Sequence, residues 1–144
     1  MKTSSEGKDL IKLFEGVRLK AYKCSAGVPT IGYGNTYYPN GDKVQMGDTI
    51  TLEQAKELFD NLIVRYERIV NNKLKVDVKQ NQFDALVSHT YNTGGSTTLF
   101  KLVNMKADKE KIKDWFLTKY ITANGIVLQG LKKRRLKEWE LFNK

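Results

Sequence analysis

A chain of 144 residues is long enough for one domain with a real core and too short for two independent ones. Hydrophobic residues at 40% and charged residues at 28% exclude a disordered chain, and no apolar run approaches the roughly 18–20 residues of a membrane-crossing helix. The 25 Lys+Arg against 16 Asp+Glu leave a formal charge of +9, which predicts attraction to a polyanion: nucleic acid, an anionic membrane face or a bacterial wall.

Residues 3–13 read as a first helix, with Thr3 and Glu6 at capping-box spacing and Leu10, Ile11 and Phe14 as its apolar stripe. Lys2, Glu6, Lys8, Asp9 and Lys12 interrupt this end, so the uninterrupted apolar region of a secretory signal is not expected there. Gly16 stands where the helix should stop. Short runs then follow, Leu19–Tyr22 and Thr30–Gly34, broken by Ser25, Gly27, Pro29, Pro39, Asn40 and Gly41. More than half of the glycines and both prolines fall between 16 and 47, which predicts a small antiparallel sheet, with Asn40–Gly41–Asp42 as a turn between strand-like pieces.

At Thr51 the pattern becomes helical. Thr51 and Gln54 form a second capping box, and Leu52, Ala55, Leu58, Phe59, Leu62, Tyr66, Ile69 and Val70 recur at helical spacing. A further helix is expected over Gln80–Tyr91, with Phe83, Leu86, Val87 and Tyr91 on one side, closed by Asn92–Thr93–Gly94–Gly95. Shorter helices are expected at Thr97–Asn104, Asp108–Leu117 and Leu131–Phe142. The expected fold class is α+β: a small antiparallel β-lobe at about 17–50, a helical lobe from 1–16 and 51–144, and a ligand cleft between them.

The single Cys24 excludes an intrachain disulfide and a cysteine metal cluster, and the single His89 excludes a His-pair site, so no metal and no cofactor is expected. Glu15 closes the first helix behind Leu13 and Phe14. A carboxyl group held partly out of water at such a junction suits a general acid, whereas a solvated helix-terminal Glu does no chemistry, and position alone does not separate the two.

The string Phe14–Glu15–Gly16–Val17–Arg18–Leu19–Lys20–Ala21–Tyr22–Lys23, followed by Pro29–Thr30–Ile31–Gly32–Tyr33–Gly34–Asn35, resembles the phage-type lysozymes, a glycoside hydrolase group that includes the endolysins. Asn81–Gly94 and Gly130–Phe142 match further blocks of that family, so the resemblance spans nearly the whole chain. It implies hydrolysis of the β-1,4 bond between N-acetylmuramic acid and N-acetylglucosamine in peptidoglycan, and release of phage by host lysis. Glu15 would be the acid, and Thr30 would help place the attacking water. It also implies a monomer that accumulates in the host cytoplasm until the membrane is breached.

Two positions depart from the family. Cys24 stands where an Asp is expected nine residues after the Glu, and no Asp or Glu occurs from Gly16 to Gly41 to replace it. Either the thiol acts as base or nucleophile, its ionisation favoured by Arg18, Lys20 and Lys23, or Glu15 does most of the work as acid while water attacks with help from Thr30 and polar groups, giving a slower enzyme, or catalysis is lost and a wall-binding module remains, or Cys24 is an engineered substitution. Thiol participation ranks first. Asn35 replaces an expected His near the catalytic centre, and Tyr91 and Asn92 match a segment suited to sugar amides and ring faces. Lys132–Lys133–Arg134–Arg135 is the sharpest charge run. It suggests nucleic acid, but pairing of Arg134 or Arg135 with Glu138 accounts for it better, and a nucleic-acid partner leaves Glu15 and Thr30 without a role. His89 is expected to be structural.

Overall fold

A computed structural model describes residues 1–144. Its chain divides into two compact units, one made of Ile11–Arg65 and the other of Met1–Leu10 with Tyr66–Lys144. Helices α1 (Ser5–Glu15) and α2 (Leu52–Lys73) each run from one unit into the other.

The unit Ile11–Arg65 holds β1 (Arg18–Lys23) and β2 (Pro29–Gly32), paired antiparallel with Tyr22 opposite Thr30 and Lys23 opposite Pro29. Ala21 and Ile31 bury against Val44 and Leu58, with Tyr38 and Ile50 packed at the side, so one residue of each strand joins a small core with α2. Beyond Gly34 the sheet dissolves into single bridges, including Tyr37 with Lys43 around the Asn40–Gly41 turn. The expected second pair of strands is therefore only a bridge. Polar side chains hold this loop instead: the Tyr38 hydroxyl donates to Asp48 Oδ2 at 2.7 Å, as does the Gln45 N–H at 2.9 Å. At the start of α2 the expected box is present, with Thr51 N–H on Gln54 Oε1 at 2.9 Å and Gln54 N–H on Thr51 Oγ1 at 3.1 Å.

The second unit is helical: α3 (Gln80–Thr93), α4 (Thr97–Asn104), α5 (Lys109–Thr118) and α6 (Gln129–Phe142), with a hairpin of β3 (Thr122–Ala123) and β4 (Ile126–Val127) before α6. Asn124–Gly125 turns that hairpin, with both residues at positive φ. Asn-Gly is a hairpin signal, but strands of two residues carry no alternation that would mark them in the sequence. Phe116 of α5 packs against Trp139 and Phe142 of α6, ring centroids 6.1 and 5.5 Å apart. Helix α3 is buried without a break from Phe83 to Tyr91, rather than on one side as its apolar residues suggested. Its polar residues Asp84, Ser88 and His89 are covered by partners that satisfy or shield them.

Asp84 shows how. It accepts from Ser4 N–H at 2.9 Å and from the Ser4 hydroxyl, placing a carboxylate at the N–H-rich start of α1, where the helix dipole favours negative charge. The expected Thr3–Glu6 box is replaced accordingly. Ser4 Oγ accepts from Gly7 N–H at 3.3 Å, while Thr3 is buried and donates its N–H to Glu67 Oε2 at 2.6 Å. Gly7 is required here, because a Cβ would lie 2.7 Å from Asp84 Cβ and from Thr3 Cγ2.

Candidate active site

Glu15, Cys24 and Thr30 all belong to the unit Ile11–Arg65. Glu15 is the half-buried last residue of α1, and Gly16, at φ 67°, donates its N–H to Lys12 C=O at 2.9 Å and turns the chain into β1. A left-handed residue one step after the helix is what glycine supplies without strain. The Glu15 carboxyl is thus fixed to a helix end within three residues of the strand that leads to Cys24.

Cys24 opens the five-residue turn between β1 and β2. Its N–H donates to Val28 C=O at 3.0 Å, and its C=O accepts from Gly27 N–H at 2.8 Å, with Gly27 at φ 77°. The backbone N–H of Val28, then that of Ala26, hold the thiol below its ordinary pKa against the opposing effect of burial. Donors that favour a thiolate over a thiol would hold an aspartate carboxylate in the same way. The cationic neighbours invoked from sequence are not the cause; the turn itself is. Its signal in the sequence was Ser25–Ala26–Gly27, a loop-forming run directly after the cysteine.

Thr30 is buried on β2, and its hydroxyl donates to Val28 C=O at 2.9 Å. A hydroxyl has one hydrogen, so with that bond made its oxygen faces a ligand as an acceptor. Asn35 is placed differently from a surface sugar contact. It is buried, and its Nδ2 donates to Leu58 C=O at 3.2 Å, tying the end of the β region to α2.

Tyr91 and Asn92 lie in the helical unit. Tyr91 is buried against Tyr66, with ring centroids 4.7 Å apart, whereas Asn92 is exposed. The Asn92 amide oxygen accepts from Arg135 Nη2 at 2.8 Å, which turns its NH₂ outward as a donor. Arg135 itself belongs to a buried cluster. Arg134 Nε and Arg135 Nε stand 3.2 and 2.8 Å from the two oxygens of Glu138, and the Ser88 hydroxyl donates to the same carboxylate at 2.6 Å. Burial pushes the Glu138 carboxyl up, against the pull of Arg135 and Arg134 toward its charged form. The sharpest charge run of the sequence is therefore half internal, as the pairing with Glu138 predicted. His89 is buried edge-on to Phe116 and Tyr120, and burial with Arg135 and Arg134 lowers its pKa to about 3. It is neutral at ordinary pH and structural. No group of three or more His, Cys, Asp or Glu is arranged to hold a metal ion.

A short helix ending in Glu15 thus leads into a hairpin that carries Cys24 and Thr30. The profile of the family described as Phage lysozyme matches residues 12–138. An endolysin of Acyrthosiphon pisum secondary endosymbiont phage 1 is 39% identical over 150 residues, covering 99% of this chain and 98% of that one. The endolysin of Bacillus phage PZA is also 39% identical, but this chain spans 55% of its length. Among solved structures, the endolysin from Escherichia coli O157:H7 phage FAHEc1 matches with a TM-score of 0.86 at 39% identity, covering 99% of this chain and 93% of that one. The chain belongs to the phage lysozyme family. It is a glycoside hydrolase of the muramidase type, a phage lysozyme that lyses bacterial cell walls.

Proposed function

We propose that this lysozyme cleaves the β-1,4 bond between N-acetylmuramic acid and N-acetylglucosamine of peptidoglycan with Glu15 as general acid, Cys24 as a thiolate base and Thr30 as the residue that places the attacking water. The observation that carries this reading is the turn around Cys24, whose backbone N–H groups favour the sulfur anion. In the proposed reaction the neutral Glu15 carboxyl gives its proton to the glycosidic oxygen as the C1–O bond breaks. A water donates one hydrogen bond to Thr30 Oγ1, whose own hydrogen is committed to Val28 C=O. Its other proton passes to the Cys24 sulfur as its oxygen bonds to C1 from the opposite side. The product anomer is inverted. Loss of the thiol proton and reprotonation of Glu15 through solvent restore the enzyme.

Asn92 belongs to the same proposal as a donor to an acetamido carbonyl, since Arg135 holds its oxygen and leaves its NH₂ facing out. Tyr91 acts beneath it as packing. Asn35 braces the β region against α2 rather than contacting sugar, because it is buried and its Nδ2 is bonded to Leu58 C=O. The protein works as a monomer, and it accumulates in the host cytoplasm until the membrane is breached, then acts at the wall; recovery in the membrane fraction before lysis would contradict this.

The test is reducing-end release from purified peptidoglycan by the parent, Glu15→Gln and Cys24→Ala. Release by the parent, none above background by Glu15→Gln, and a fall of about 10²–10³-fold in Cys24→Ala are expected. Wall binding without release by the parent would favour a catalytically silent wall-binding protein, for which the lack of any carboxylate from Gly16 to Gly41 is the argument.

A further inference from the structure

The positive charge is unevenly divided. Ile11–Arg65 carries 7 Lys+Arg against 6 Asp+Glu, whereas the helical unit carries 18 against 10. Within the helical unit, three shallow cavities of about 490, 480 and 500 Å³ line up along the α2–α3 connection and the α4–α5 turn. The first two share Val76, Asp77 and Lys106. Asn104 joins the second to the third: it lines the third, accepts from Lys75 N–H at 2.7 Å and donates to Lys73 C=O at 2.9 Å. The first two are therefore one trough, and the third adjoins it across Asn104.

Lys79, Lys106 and Lys109 border its first part, Lys75 and Lys106 its second, Lys73 and Lys101 its third, and all six are exposed. Asp77 is the only acidic side chain that lines it. Lys106, where the cavities meet, is held at φ 52°, a conformation that favours Gly or Asn, so a cation is kept at a position where a smaller residue would fit the backbone better. Trp139, Ile112 and Phe142 lie beneath the first part.

We infer that this trough is a second binding site, for a polyol-phosphate polymer attached to the wall: a flexible chain with one phosphodiester charge per repeat and an aliphatic backbone between charges. A small anion would need a closed pocket with buried donors, and the trough is shallow and lined by exposed ammonium groups. A planar bilayer does not follow a concave surface. The trough has no arginine, the residue that suits bidentate contact with phosphates, whereas mobile point charges spaced along a groove suit a polymer whose phosphates move. The site lies wholly outside the unit that holds Glu15, Cys24 and Thr30, and it would raise the enzyme's concentration at the wall without touching the reacting bond.

The test is calorimetric titration of the full chain with purified poly(glycerol phosphate), in about 50 and about 200 mM salt. Saturable binding that weakens steeply with salt is expected. Lys106→Glu with Lys109→Glu, and Lys73→Glu with Lys101→Glu, should each weaken Kd by about tenfold or more. Lys43→Glu with Lys56→Glu makes the same change in net charge on the other unit and should leave Kd within about twofold. Hydrolysis of peptidoglycan stripped of phosphate polymer should be unchanged in both trough variants, which separates this site from the catalytic one. The inference is overturned by no binding in the parent, by equal weakening in the control pair, by tighter binding of duplex DNA than of the polymer, or by loss of hydrolysis on stripped wall in the trough variants.

Discussion

Replacing Glu138 by Ala removes the one anion between two buried guanidiniums. Arg134, Arg135 and Glu138 are 3%, 0% and 0% exposed, so none of the three charges is relieved by water. After the change Arg134 keeps the Ser88 carbonyl at 3.1 Å and Arg135 keeps Asn92 Oδ1 at 2.8 Å, but both lose the Glu138 carboxylate, and the Ser88 hydroxyl loses its acceptor. Deleting one partner of a buried ion pair costs about 3–5 kcal/mol, a large share of the roughly 5–15 kcal/mol that holds a domain folded. For a chain of this size that corresponds to a fall in Tm of roughly 10 °C. Urea unfolding at neutral pH, followed by circular dichroism, measures the loss directly. The triple change Arg134→Met, Arg135→Met, Glu138→Leu should cost less than Glu138→Ala alone, because it removes all three desolvated charges together. A loss below about 1 kcal/mol in Glu138→Ala would refute the reasoning, since it would mean that the guanidiniums find water or other anions.

Other outcomes follow from the same structure. His89 is neutral in the fold, with its pKa lowered to about 3, but takes up a proton near 6.5 when unfolded, so its contribution is full above the unfolded value and is lost as pH falls toward the folded one. Stability should drop by about 2 kcal/mol between pH 8 and pH 5 from this residue, and the drop should be smaller by that amount in His89→Gln. Gly7→Ala should destabilise by about 1–3 kcal/mol, because the added methyl meets Asp84 and Thr3 at 2.7 Å; an unchanged urea midpoint would show that α1 shifts freely. Thr51→Ala should cost about 1 kcal/mol by opening the first turn of α2, read from the same unfolding curves. Alkylation of Cys24 should abolish reducing-end release while leaving the circular dichroism spectrum unchanged, and retained turnover would remove the sulfur from the reaction.

The periodic parts of the fold were legible in the sequence because they depend on spacing. The apolar residues of α2 and the Thr51–Gln54 box predicted that helix from its first residue. What spacing missed was set by partners distant in sequence. Helix α3 reads as one-sided from Phe83, Leu86 and Val87, yet Ser4 meets Asp84 and Glu138 meets Ser88 from 80 and 50 residues away, which is how its polar side is buried. The Thr3–Glu6 box lost to Ser4 for the same reason, since Asp84 and Glu67 offer acceptors that no local pattern reveals. At the candidate site the identity of Cys24 was plain, but the cause of its ionisation was not. Nearby lysines in the sequence suggested charge, whereas the turn supplies N–H donors. Asn35 illustrates the reverse case: a residue whose position suggested a ligand contact is committed to a backbone carbonyl of α2.

The central claim is that a thiolate does the work of a carboxylate, and the pH–rate profile of the parent beside Cys24→Asp tests it most directly. With a neutral acid at Glu15 and a thiolate at Cys24 as the reactive pair, the alkaline limb follows the group that ionises at higher pH, the thiol. The turn lowers that pKa from its ordinary value, and replacing the thiol by a carboxyl should move the alkaline limb further down, into the range of carboxylic acids, with activity retained at lower pH. Superimposable alkaline limbs in the two proteins would contradict the account, because the sulfur would then carry no proton in the step that limits hydrolysis.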